Sequence, residues 1–479
     1  MNQALKVNDI EKVIRQELEQ RELMKTKLAP FVRKVVATVD PGAVYKHNWH
    51  IDLICEYLEA CTSGQIKRLL INIPPRHLKT LIVSVAWPAW LIGRNPSEQI
   101  LCASYSASLS MRDSVNCRLV IQSSWYKNLF PEVELTTDMN MKSEFVTSKR
   151  GHRIATSVGA TSIGRGGKYL IGDDLINPKQ ALSDTERTNS NTWVDQNFMT
   201  RFNDEIEGCF VGVHQRLHTD DSTGHLIKKG GYEHLVIPLE AERREVWDFG
   251  SVKKVREKGE ILHPERMGRK EVEQKKIDLG SYGFAGQYQQ RPAPLAGGLV
   301  DISWFRRYGI PPSRETIKRI IQSWDTASKD KTKNDPWGGG TWAVTDKGIY
   351  LLDIIDKRMQ YPEGKRTVKS WADKWKPDVI LIEDKSSGES LIQDLRDEPG
   401  SFYPIIAIMP EGDKVTRMST SSPLIESGNV WLPERAPWLV DYEQEMASFP
   451  NSATKGQVDQ TSQLLNWIKR PSNPSLMII

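Results

Sequence analysis

Cysteine is scarce in this sequence and nowhere clustered. The five residues, Cys55, Cys61, Cys102, Cys117 and Cys209, lie in the first half and form no C-x-x-C spacing. An odd, scattered set argues against a disulfide framework or a zinc site and for a reducing compartment. Long apolar runs are missing too. None approaches the roughly 20 residues needed to span a bilayer, and no signal pattern opens the chain, so a soluble cytoplasmic protein is expected. Net charge is small, +4 over 479 residues. That permits a nucleic-acid partner without demanding one, because a basic channel can sit inside a nearly neutral total. The length exceeds one ordinary core, which points to two domains and connecting segments.

One stretch organises the first half. An apolar run from Leu69 to Ile73 is followed by Pro74-Pro75-Arg76-His77-Leu78-Lys79-Thr80 and a new apolar segment from Leu81. This reads as buried strand, phosphate loop and helix start. Backbone N–H groups of such a loop face the phosphates of a nucleotide, Lys79 neutralises the terminal phosphate, and the Thr80 hydroxyl takes a place on Mg²⁺. The usual pattern has glycines six residues before the lysine and immediately before it; here those positions hold Ile73 and Leu78. Without further support the stretch reads equally as a plain strand-to-helix turn.

Upstream, a charged segment from Asp9 to Leu28 with periodic apolar residues suggests an amphipathic helix, either a docking arm or a helix packed on its own domain. Ile51 to Ala60 reads as a second helix, beside Trp49 and His50, which serve either the core or an adenine ring. Downstream, Pro88 is expected to kink or shorten the helix that starts at Leu81. Strands are expected at Gln99 to Ser106, from Ile154, and at Tyr169 to Gly172, the last preceded by Gly164-Arg165-Gly166-Gly167 and ended by Asp173-Asp174. Paired carboxylates at the C-terminal end of a buried strand in an open α/β sheet sit where ligands bind. Asp173 is the candidate for holding Mg²⁺ through water and Asp174 for orienting or deprotonating the attacking water. A further strand, Cys209 to Val213, runs into His214-Gln215-Arg216-Leu217-His218-Thr219-Asp220-Asp221, a polar cluster placed to sense the γ-phosphate. His214 and His218 do not share a helical face, so no metal is expected there.

From Ala241 to Gly280 the chain is dense in charge and reads as solvated helices and loops, and Gln289-Gln290-Arg291-Pro292 with Gly297-Gly298 marks a boundary. Strand logic then restarts. Arg319 to Trp324 ends in Asp325-Thr326-Ala327 and a charged loop to Asp335; Thr341 to Val344 and Ile349 to Ile355 follow as antiparallel strands. A helix from Thr367 to Trp375 precedes Val379 to Ile382, which ends in Glu383-Asp384, and a helix opening at Ser386-Ser387-Gly388-Glu389-Ser390 backs that end. Acids at the ends of neighbouring strands with a crossover helix are the layout of an RNase H-like fold, whose carboxylates hold two divalent ions about 4 Å apart for phosphodiester hydrolysis. Asp325 and Glu383 suit this role. Asp459, in the first turn of a late helix, is either a dipole partner or the third ligand, according to whether the fold turns it toward Asp325.

An NTPase followed by an RNase H-like nuclease is a narrow description. In the order of its motifs the sequence resembles the large terminase subunit of tailed double-stranded DNA bacteriophages, from about His47 to Trp467. The resemblance implies an α/β protein: an N-terminal helical arm over 1–45, a P-loop (ASCE-type) NTPase domain with a mainly parallel sheet over 46–245, a charged connecting segment over 246–300, and an RNase H-like nuclease domain over 301–479. It implies ATP binding by Pro75, Arg76, His77, Leu78, Lys79 and Thr80, with Arg76 facing the phosphates. Asp173 becomes a metal-binding acid and Asp174 a catalytic one; Gln215, Arg216 and His218 couple hydrolysis to movement; Arg165 is a weaker candidate for a finger supplied to a neighbouring subunit. Asp325, Glu383 and Asp459 form a Mg²⁺- or Mn²⁺-dependent nuclease site that cuts concatemeric DNA. The implied partners are double-stranded DNA, the portal protein, the small terminase subunit and further copies in a ring on the procapsid. The expected location is the cytoplasm of an infected bacterium, transiently at the portal vertex.

Two departures bear on this reading. Leu78 replaces a glycine, at about 1 kcal/mol or more if its φ must be positive, and Lys455 and Gly456 stand where members carry paired acids, which leaves the metal count open. The alternative is a helicase-like DNA-dependent ATPase whose C-terminal domain only binds DNA.

Overall fold

The computed structural model describes residues 2–160, 164–292, 298–326, 336–385, 387–397, 403–452 and 455–470. Ala327 and the charged loop to Asp335, Ser386, and the linker residues 293–297 lie outside the described residues. The chain forms two compact units, Met1–Glu273 with Gly283–Ala293, and Gln274–Tyr282 with Pro294–Ile479.

The first unit is built on eight strands: β1 (Arg68–Asn72), β2 (Gln99–Ser104), β3 (Leu135–Asn140), β4 (Glu144–Thr147), β5 (His152–Ser157), β6 (Tyr169–Asp173), β7 (Cys209–His214) and β8 (Glu233–Val236). Their order is β3-β4-β5-β2-β6-β7-β1-β8. From β5 to β8 every pairing is parallel. β6 and β7 are buried along their whole length, which is why they read as continuous apolar runs instead of alternating ones. β7 separates the strand feeding the phosphate loop from the strand ending in Asp173, the ASCE arrangement expected. Glycines 166 and 167 serve this packing. A side chain on Gly167 would meet the Gln99 carbonyl at 2.8 Å, and one on Gly166 would meet that of Arg201.

Three expectations are corrected. The N-terminal arm is not an arm throughout: after a helix Asn2–Thr26, a second helix Leu28–Val39 buries Phe31, Val32 and Val35 completely in the first unit. Its apolar face was masked in the sequence by Pro30, which sits harmlessly in the first turn. The helix expected to start at Leu81 is not α-helical over its first residues. Leu81–Ala86 is instead a π-helical turn that passes into an α-helix Trp87–Arg94 with Pro88 at its start. Proline has no N–H to give the Ser84 carbonyl, which accepts from Arg153 Nη2 at 3.0 Å. The segment from residue 246 is no free linker, because β9 (Glu245–Phe249) and β10 (Val252–Arg256) form an antiparallel hairpin in the first unit. Phe249 stacks on Tyr57 at 3.9 Å, and Trp247 lies 4.8 Å from Trp49. Alternating charges hid the aromatic face.

The second unit carries β11 (Arg306–Tyr308), β12 (Ile317–Asp325), β13 (Trp337–Thr345), β14 (Gly348–Lys357), β15 (Val379–Glu383), β16 (Ile405–Ile408) and β17 (Val430–Pro433), in the order β11-β17-β14-β13-β12-β15-β16. β12, β13 and β14 are antiparallel neighbours, and β15 lies parallel to β12. A helix Gly456–Ile468 covers one face through Val458, Leu464 and Leu465 against Trp342 and Leu351. Helices Tyr361–Trp375 and Ser387–Arg396 cover the other around Trp324, Ile380 and Ile382. β13 begins four residues earlier than expected because it opens Trp337-Gly338-Gly339-Gly340. Glycine weakens a strand, but here the covering helix leaves no room: a side chain on Gly338 would lie 2.6 Å from the Gly456 carbonyl oxygen.

Candidate functional sites

The phosphate-loop residues Pro75 to Thr80 follow β1 directly. Arg76 and Leu78 both adopt left-handed backbone, at φ 66° and 65°, a conformation that costs a side-chain-bearing residue roughly 1–2 kcal/mol. Arg76 is exposed and its carbonyl accepts from Arg266 Nη1 at 2.8 Å. His77 turns inward, with Nδ1 2.9 Å from the Pro75 carbonyl. Its ring lies 5.8 Å from that of His50, which is in turn 5.7 Å from His263. All three imidazoles are buried, and the Nε2 of each lacks a hydrogen-bond partner. Burial holds them neutral, bringing His77 down to about 4.

Lys79 and Asp174 meet across the ends of β1 and β6. Lys79 Nζ lies 2.5 Å from both carboxylate oxygens of Asp174, and the lysine is buried. Asp174, at φ 43°, also accepts the Gln215 backbone N–H on Oδ1 at 3.1 Å. Asp173 points elsewhere. Its Oδ2 accepts from Ser84 Oγ at 2.8 Å, and burial, then the neighbouring Asp174, pushes its carboxyl up to about 7. A carboxylate this reluctant to ionise beside a second one is a place where a divalent cation is electrostatically welcome. Thr80 stands half-buried at the start of the π-helical turn.

Beyond β7 the segment of Gln215, Arg216 and His218 is organised by the acid that closes the same polar cluster. Asp221 is buried, receives Arg216 Nε at 2.9–3.0 Å, and accepts the N–H groups of Leu217, His218 and Gly224. The same carboxylate caps the helix Ser222–Lys229. The Arg216 N–H donates to Gln290 Oε1 at 3.0 Å, which ties Gln290 to this segment. His214 Nδ1 faces Thr223 Oγ1 at 2.9 Å. Arg165 pairs with Glu144 of its own chain.

In the second unit Asp325 and Glu383 end the parallel neighbours β12 and β15, one step past the Trp324–Ile382 pairing. Gly388 lets the helix Ser387–Arg396 seat its first turn against the Glu383 carbonyl, where a side chain would collide. Asp459 is turned toward Asp325. It is 3% exposed, and burial, then Asp459 and, more weakly, Glu383, hold Asp325 well above the ordinary carboxylate range. Two cations missed in the sequence complete the cluster, both from the helix Lys414–Glu426. Arg417 bridges Glu383 (Nη1–Oε2 3.3 Å) and Asp459 (Nη2–Oδ1 2.9 Å), and Lys414 pairs with Asp459. Although burial works against its charge, Lys414 is kept protonated by Asp459 and Asp325. The spacing of Lys414 and Arg417, one turn apart after the N-cap Asp413, was the available signal. With these cations in place, no three Asp, Glu, His or Cys among the described residues enclose an ion. The donor set of three carboxylates is nonetheless the hard-oxygen chemistry that Mg²⁺ or Mn²⁺ takes, and their crowding is what a divalent ion relieves.

Residues 322–466, which contain all three acids, match the terminase RNaseH-like domain family. No curated protein matches the chain in sequence. Among solved structures, the large terminase of a thermophilic bacteriophage aligns with TM-score 0.50 at 10% identity, over 86% of this chain and 98% of that one. The HK97 bacteriophage large terminase aligns at 0.33 and 9%, over 91% and 99%. The nuclease domain of the bacteriophage SPP1 large terminase, solved with bound Mn, aligns at 0.28 and 16%, over 35% and 98%. Residues 322–466 thus resemble a terminase RNaseH-like domain, and the chain shares the fold of a solved bacteriophage large terminase.

Proposed function

We propose that this chain is the motor and nuclease of a viral DNA-packaging machine. ATP hydrolysis at the Lys79 site drives double-stranded DNA through the portal into a procapsid, and Asp325, Glu383 and Asp459 cut the concatemer. The observation that carries the reading is the acid trio, gathered from two strand ends and a helix inside the stretch that matches the terminase family.

In the first unit, Lys79 exchanges Asp174 for the terminal phosphate of ATP, and Asp174 is freed to take a proton from the attacking water. The Gln215 N–H shares that carboxylate, so the exchange is felt by Gln215 and passed through Arg216 to Asp221 and Gln290. Thr80 and Asp173 would hold Mg²⁺ beside the phosphates. In the second unit, the three acids would hold Mg²⁺ or Mn²⁺, which when bound activates water and polarises a phosphodiester. Contact with the duplex runs through phosphates, with little sequence readout, as a motor requires. The small terminase subunit, the portal and further copies in a ring are the partners, in the host cytoplasm.

The test is digestion of supercoiled plasmid by the full chain with Mg²⁺ or Mn²⁺, beside Asp325→Asn. Cleavage by the parent alone is expected. ATP-driven strand separation with no cleavage by either would favour the helicase-like reading instead.

A further inference from the structure

We propose that the first unit carries an oxyanion site separate from the phosphate loop, built on Arg68 at the opposite edge of the sheet, and that it takes the phosphate group of a small ligand. A cleft of about 370 Å³ lies there, lined among others by Arg68, Asp195, Lys229 and Tyr232, with Gly230 and Gly231 between the last two. A side chain on either glycine would meet nothing within 4 Å, so this part of the wall is open. Arg68 opens β1, whose far end runs into the phosphate loop, and Tyr232 immediately precedes the parallel neighbour β8. β1 is five residues long, about 13 Å of parallel strand. One phosphate group therefore cannot serve Arg68 and Lys79 together.

The group that asks for a ligand is the guanidinium of Arg68. Its carbon lies 4.5 Å from the centre of the Phe202 ring, which attracts the cation but offers no acceptor in the plane of its N–H groups. Nη1 is buried and has no hydrogen-bond partner among the described residues, an arrangement that is costly until an acceptor arrives. The carboxylate that lines the cleft does not supply one. Asp195 pairs with Lys229 Nζ and lies 2.9 Å from His225 Nε2. Lys229 is the movable partner: its side chain is 45% exposed, and when its ammonium turns to an anion in the cleft, Asp195 keeps His225. An arginine fork with a lysine point charge from a second side presents donors in more than one plane, which suits a tetrahedral phosphate better than a flat carboxylate. Two cations also match the nearly two negative charges of inorganic phosphate or a phosphate monoester at neutral pH. The cleft is too small for a duplex, so the ligand is inorganic phosphate or a mononucleotide.

The test is a calorimetric titration of the full chain carrying Lys79→Ala, which removes the lysine of the phosphate loop, with inorganic phosphate at constant ionic strength. One phosphate per chain is expected. Adding Arg68→Gln should weaken it at least ~10-fold, the loss of a hydrogen bond between charged groups, and adding Lys229→Ala by a smaller factor. Arg68→Lys keeps the charge without the fork and should fall between the parent and Arg68→Gln. Urea unfolding of each variant without phosphate separates a binding defect from a folding one, and the exposed Lys229 and the conservative Arg68→Lys keep the test open if Arg68→Gln fails to fold. AMP titrated in the same way identifies the source. Arg68-dependent binding tighter than that of inorganic phosphate marks a mononucleotide site, and binding no tighter marks a site for the free ion; both uphold the oxyanion site. No phosphate bound by the Lys79→Ala chain, or binding that the Arg68 and Lys229 variants leave unchanged in folded protein, overturns it and leaves Arg68 a packing partner of Phe202.

Discussion

Lys79 and Asp174 hold each other at 2.5 Å through both carboxylate oxygens, and the same carboxylate carries the Gln215 N–H at 3.1 Å. One acid therefore stands between Lys79 and the segment that leaves β7. On the proposed reading, Lys79→Ala removes the phosphate partner, and Asp174→Asn removes the base while keeping its shape. Both are expected to lower ATP turnover at least ~100-fold and to leave plasmid cleavage within a few-fold of the parent. Asp325→Asn is expected to do the reverse. Equal loss of both activities in one variant would show that the two sites are not separable engines.

Leu78 is held at φ 65° in a loop where its side chain is only half-buried. Glycine at that position removes a strain of about 1–2 kcal/mol and returns about 0.5–1 kcal/mol of chain entropy to the unfolded state. Leu78→Gly should leave the urea midpoint of the first unit unchanged or slightly raised and the ATP turnover equal or faster. A clear loss of stability would mean that the leucine side chain contributes packing that outweighs its backbone strain.

How much of this was readable in the sequence depends on the range of the contact that matters. An acid at the end of an apolar run is a local pattern, so Asp173, Asp174, Asp325 and Glu383 stand out unaided. Asp459 does not, because an acid in a first helical turn is ordinarily a dipole partner, and only the order of motifs singles it out. Lys414 and Arg417 carry only the mark of two cations one turn apart after Asp413, and nothing in the spacing tells Asp221 apart from its neighbour Asp220. Arg417 acquires meaning by reaching Glu383 and Asp459, 34 and 42 residues away. The opening of β13 is hidden for the opposite reason, since its three glycines speak against a strand until the helix lying on Gly338 and Gly340 and the Trp324 ring lying on Gly339 are known.

Buried neutral imidazoles make the first unit acid-sensitive. His77 is held near 4 by burial, against an ordinary value of 6.5. The unfolded chain binds this proton first, so the contribution is complete above about pH 6.5 and is lost as the pH falls toward 4; a full shift of this size is worth on the order of 3 kcal/mol. Asp173, raised to about 7, acts in the other direction, its contribution being complete at low pH and lost as the pH rises from about 4 to 7. The informative quantity is therefore a difference. His77→Gln should flatten the slope of unfolding free energy between pH 6.5 and 4 relative to the parent, in urea titrations at fixed ionic strength. Identical slopes would mean that His77 is solvated in solution.

Gly338 sits between Asp325 on β12 and Asp356 on β14 in register, directly beneath the first turn of the helix that carries Asp459. A methyl group added there meets the Gly456 carbonyl oxygen at 2.6 Å, whereas one added to Gly456 meets nothing nearer than 3.6 Å. The two alanine substitutions thus probe the same contact from opposite sides with opposite expectations. Gly338→Ala should lift the helix, draw Asp459 away from Asp325, destabilise the second unit by about 1–3 kcal/mol and abolish plasmid cleavage while sparing ATP turnover. Gly456→Ala should leave cleavage and stability close to the parent. If Gly338→Ala cleaved normally, the approach of helix to strand would not be what sets the position of Asp459.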